Sequence, residues 1–187
     1  MAAALFIVAG VSSLAFRDQV LNRFVVDLVV PVPVPILVPV VVGMAVGLGA
    51  ASQVDRRILP ARSMVLPRVA WATVLLLTGL LTVLPGVTGL SATPSGLARN
   101  CLAFSALGLA STVWLGAVGA WVGPALVGLF VILFGGGRPE GLPVWAFFLS
   151  EEGGPAALVG SVVGFVLAVV LYSLAGTGHV RITSGWT

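Results

Sequence analysis

The side chains able to do chemistry are few in this chain, and their spacing excludes most reactions. There is one histidine, His179, and one cysteine, Cys101. A histidine-based dyad deep in the apolar sequence, a multi-histidine metal centre, an internal disulfide and a Cys-x-x-Cys site therefore all lack their residues. Glu151 and Glu152 are adjacent. Neighbouring helical residues point about 100° apart, which is poor geometry for paired-carboxylate catalysis. All nine basic residues are arginines. Without lysine, no Gly-x-x-x-x-Gly-Lys-Ser/Thr loop can cradle a nucleotide phosphate, so ATP hydrolysis of that kind would need another chain. No enzyme, cofactor or metal is expected.

The arginines do form one cluster. Between Ser52 and Arg68 lie Arg56, Arg57, Arg62 and Arg68, against the single acid Asp55. Flanked by apolar runs, such a loop is the strongest positive-inside signal here and is predicted to face the cytoplasm. A nucleic-acid surface needs a dense basic face with polar or stacking groups interleaved, so nucleic acid is not an expected partner despite a net charge of +3.

The elements that must hold these residues follow from composition. Of 187 residues, 59% are hydrophobic and only 8% are charged, whereas about a quarter are charged in a soluble domain. The mean hydropathy is +1.17. At about 20 apolar residues per crossing, the length holds five or six spans. The expected fold is thus all-α: a polytopic transmembrane bundle of about six spans, forming one membrane domain over residues 1–187.

The predicted spans are Ala2–Phe16, about Ile36–Ala51, Val69–Leu84, Arg99–Val118, Val122–Phe134 and Ala156–Ala175. No cleavable signal peptide is expected, because no basic region precedes the first apolar stretch. Phe16, Val20, Phe24 and Leu28 recur every four residues, suiting either an amphipathic interfacial helix or a polar connecting turn. The alternating Pro31, Pro33 and Pro35 belong at the membrane edge or in a broken helix, since proline removes backbone donors. Gly43-x-x-x-Gly47 and Gly160-x-x-x-Gly164 would each admit a close helix partner. Trp71 and Trp121 suit an interface, and Cys101 a small side chain buried in lipid. Arg99 is expected at the outer face, leaving the spans free of ionisable groups near the bilayer centre. Such an absence argues against ion-coupled transport, and no polar stripe lines a channel.

Residues 135–152 mix Glu140, Glu151 and Glu152 with Trp145, Phe147 and Phe148. A re-entrant or surface-lying helix before the last span is expected there. Alternating the sides from the arginine loop puts both termini in the cytoplasm.

This pattern resembles the type-2 ABC exporter permease family. The likeness rests on six spans and on an arginine-bearing loop after the second, Asp55-Arg56-Arg57-Ile58-Leu59-Pro60-Ala61-Arg62. It rests also on Leu142-Pro143-Val144-Trp145-Ala146-Phe147, similar to the re-entrant region of actinobacterial members. The chain departs from that family in lacking a basic amphipathic helix before the first span, and in its shortness.

The resemblance implies a bacterial cytoplasmic membrane, a separate ATP-binding cassette ATPase, and a second membrane subunit, identical or related. It implies a coupling loop that includes Asp55, in which Arg56, Arg57 and Arg62 pair with acidic groups on the ATPase while Leu59 and Met64 fill an apolar cleft. The same arginines could instead face lipid phosphates and merely anchor the topology. Trp145, Phe148, Glu151 and Glu152 are candidate outer-gate residues; a solvated acidic pair is the plainer reading. The alternative function is a non-transporting scaffold or accessory subunit within a larger membrane complex.

Overall fold

In an apolar surrounding, a backbone must satisfy its own hydrogen bonds, and the long uncharged runs of this chain do so as helices. The computed structural model describes residues 1–16, 18–23, 27–54, 65–85, 93–134 and 155–175. Among these described residues six helices carry the body: α1 (Ala2–Ala15), α2 (Val34–Val54), α3 (Val65–Val83), α4 (Pro94–Gly119), α5 (Val122–Phe134) and α6 (Pro155–Ala175). Three of them, α3, α4 and α6, are long and apolar enough to cross a membrane. The apolar stretches of α1, α2 and α5 are shorter.

Between α1 and α2, where an amphipathic helix and a connecting turn were both open, the chain forms no helix among the described residues. A two-stranded antiparallel hairpin occupies this stretch, β1 (Val20–Arg23) and β2 (Asp27–Pro33), with Val20 opposite Pro33 and Arg23 opposite Asp27. The prolines explain the choice. The Val34 N–H donates to the Gln19 carbonyl at 3.0 Å. Donors alternate sides along a strand, so the missing N–H of Pro33, next to Val34, falls on the free edge, and the register shifts beyond the Leu21–Val32 pair, next to Pro31. A helix would have lost those bonds outright. Pro39 does sit inside α2, where it removes the bond that the Pro35 carbonyl would accept.

The start of α4 is set by a cap. Thr93 Oγ1 accepts from the Gly96 N–H at 3.2 Å, and Pro94 stands at the first helical position, where no donor is needed. The helix thus begins five residues earlier than expected, which draws Arg99 into its second turn. The break between α4 and α5 falls near the expected one, at Ala120–Trp121, with a kink upstream at Gly116. There φ is +70° and ψ is −167°, a conformation that glycine alone adopts readily.

Helix α2 is the hub and packs against α1, α3, α4 and α5. Its Val42, Ala45, Val46 and Ala50 are wholly buried. The closest crossing is with α4: a Cβ added to Gly43 would fall 2.5 Å from the Phe104 carbonyl oxygen, and one on Gly108 would strike the Gly43 carbonyl. Contact by backbone rather than side chain is what the small-residue motif predicted. These pairings run α2 and α4 parallel, and α6 follows them.

Candidate functional site

Most expected site residues lie outside the described residues. That holds for the loop residues Asp55, Arg56, Arg57, Leu59, Arg62 and Met64, and for Trp145, Phe148, Glu151 and Glu152. What the structure does place is the framework on either side of the arginine loop.

That framework is a set of cross-helix hydrogen bonds at one end of the bundle. The Trp71 indole of α3 donates to the Gly49 carbonyl of α2 at 3.0 Å. The Tyr172 hydroxyl of α6 donates to the Ala50 carbonyl at 2.8 Å, with the Tyr172 side chain almost fully buried. Arg68, fourth residue of α3, donates through Nη1 to the Ser173 carbonyl of α6 at 3.4 Å. Ser173 belongs to the last turn of α6, where carbonyls lack helical partners and the dipole favours a cation. The last turns of α2, the first turn of α3 and the last turn of α6 are thereby tied together where the loop leaves and returns.

A second polar pair sits towards the other end. Arg99 and Asn100 are each only 1% exposed, and Arg99 Nε donates to Asn100 Oδ1 at 3.0 Å. Arg99, expected at the outer end of its span, lies in the second turn of α4 and is enclosed by the bundle. Water is absent from hydrocarbon, so such a group survives only when the bundle interior solvates it. Cys101, next along, is fully buried and packs in the protein core rather than facing lipid. Among the described residues, no cluster of His, Cys, Asp and Glu suits a metal ion.

The two glycine motifs fare differently. Gly43 and Gly47 are filled by α4, and Thr112 Oγ1 lies 2.9 Å from both the Gly47 and the Gly108 carbonyl oxygens. Around Gly160 and Gly164, by contrast, nothing comes within 4 Å of an added Cβ. They border an open apolar groove of about 580 Å³ between α4 and α6, floored by Ala103, Ala106 and Ala110. Its one hydroxyl, Ser161, is spent on the Ala157 carbonyl.

No family model, curated protein or solved structure matches this chain.

The chemistry that sequence reasoning passed over is at Tyr172, Arg68 and the Arg99–Asn100 pair. A signal existed for each: the only tyrosine, and charged or amide side chains set inside apolar runs.

Proposed function

We propose that this chain is the membrane subunit of an ATP-driven exporter, energised by a separate ATPase and paired with a second membrane subunit. In this reading the six helices are six spans, and the Asp55–Met64 loop is the handle on which the ATPase acts. One observation carries it. The helices entering and leaving that loop are locked to each other and to α6 by the Trp71–Gly49 and Tyr172–Ala50 hydrogen bonds, with a longer Arg68–Ser173 contact beside them. A loop that only anchors topology has no need of such bracing, whereas one that delivers a push must be held by elements that move with it.

Co-purification tests the proposal. The chain, expressed with its neighbouring genes, should bring down an ATPase whose turnover changes on reconstitution. Replacing Arg56, Arg57 and Arg62 together by Glu should abolish that coupling while the membrane part stays folded. Unaltered assembly and turnover in the triple variant would refute the docking role.

The open Gly160–Gly164 groove favours a second reading, a scaffold subunit that packs other membrane chains without moving cargo. A reconstituted complex with coupled ATPase turnover but no contribution from this chain would select it.

A further inference from the structure

All the tryptophans placed among the described residues, with the chain's one tyrosine, gather at a single end of the bundle. Trp71 reaches the Gly49 carbonyl and Tyr172 the Ala50 carbonyl. Gly47, two residues earlier, lies against the Ala120 carbonyl, next to Trp121. It also receives the Thr112 hydroxyl, two residues before Trp114. Four aromatic side chains with polar tips therefore share one level, although they come from positions spread over a hundred residues of sequence.

Two of the four face outwards. At the α4–α5 corner Trp114 is 77% exposed and Trp121 is 45% exposed, with Leu115 and Val118 exposed beside them. The positive-φ kink at Gly116 lies within this corner. From Trp121 the exposed surface runs on along α5 through Leu126, Leu129 and Phe130. The corner is thus the end of an apolar outer surface, and it is the part that carries indole N–H groups.

We infer that the Trp114–Trp121 corner is an interfacial anchor, seated in the glycerol and headgroup layer of a phospholipid bilayer. Indole rings favour that layer because the ring is apolar and its N–H still finds an acceptor. The length of α4 agrees. From Pro94 to Trp114 the helix rises about 30 Å, the thickness of the hydrocarbon layer, so the capped start at Thr93 reaches the opposite boundary. Arg99 then lies about 7 Å inside that boundary. The assignment stands on the membrane location alone and is independent of the exporter reading.

Depth-resolved quenching tests it. Single-tryptophan variants that keep Trp114 or Trp121, with the remaining tryptophans changed to Phe, are reconstituted in phosphatidylcholine vesicles. The vesicles carry lipids brominated near the carbonyl end or near the methyl end of the acyl chain. Quenching by the shallow label should exceed that by the deep label about twofold or more. Because Trp71→Phe removes a structural hydrogen bond, a second measurement leaves every tryptophan in place. Val118→Cys in a Cys101→Ser background, spin-labelled, should report a depth near the phosphate level. Strong quenching by aqueous iodide without bromolipid quenching would overturn the inference and mark the corner as a water-facing protein contact. Dominant quenching by the deep label would overturn it as well.

Discussion

Tyr172 and Ala50, 122 positions apart, are joined by a 2.8 Å hydrogen bond from a buried phenol to a helix carbonyl. The bond ties the last turn of α6 to the end of α2, beside the arginine loop. Tyr172→Phe keeps the ring and deletes only the donor, so its cost should be about 0.5–1.5 kcal/mol. Tyr172→Ala, which also leaves a cavity, should cost about 3–5 kcal/mol. Unfolding in mixed detergent micelles separates the two. Equal losses would mean that the hydroxyl rather than the ring carries the effect.

The two glycine motifs should differ in tolerance. Gly108→Ala and Gly43→Ala push a methyl into a backbone carbonyl of the facing helix, and overpacking of this kind costs about 1–3 kcal/mol or more. Gly160→Ala meets open space and removes a flexible residue from a helix, so a gain of up to about 1 kcal/mol is expected. Melting temperatures of the three variants decide the matter. A loss at Gly160 as large as that at Gly108 would show that a helix already fills the groove.

Arg99 and Asn100 should behave as one unit. Arg99→Leu and Asn100→Leu each delete this charge-assisted hydrogen bond, at about 1.5–3 kcal/mol apiece. The double variant should cost less than the two singles added, with a coupling of about 0.5–3 kcal/mol. Simple additivity in a double-mutant cycle would argue that the 3.0 Å contact contributes nothing.

Arg68 is held less fully than its burial demands. It is 6% exposed, its Nε has no hydrogen-bond partner, and its Nη1 bond is 3.4 Å long. Arg68→Met should therefore change stability by no more than about 1–2 kcal/mol in either direction, since an apolar side chain of similar length avoids the desolvation cost. A fall of several kcal/mol in the unfolding free energy would show that the bond to Ser173 is much stronger than its length suggests.

Helix positions were readable because hydrophobic runs bounded by Gly, Pro and Arg leave the backbone little choice. Val122–Phe134 is found as expected, and α6 begins within a residue of its predicted start. The stretch around Val20 and Leu28 left a helix and a turn both open, and the hairpin was not legible. A four-residue recurrence that runs into a valine- and proline-rich segment fits a strand equally well, and strand pairing depends on a partner that periodicity does not reveal. The early start of α4 turned on Thr93 and Pro94, a capping pair hidden within a Gly/Pro/Ser/Thr-rich connection.

The sequence by itself determined that this chain belongs in an apolar medium, that its elements are mainly helices, and that reactive side chains are scarce. Those properties follow from composition and local hydrogen-bonding need, which any window of residues displays. Only the tertiary structure decided which glycine motif is filled, that Arg99 is enclosed within the bundle, and that Trp71, Trp114, Trp121 and Tyr172 share one level. Each of these depends on contacts between helices far apart in the chain, and packing rather than local pattern selects such contacts.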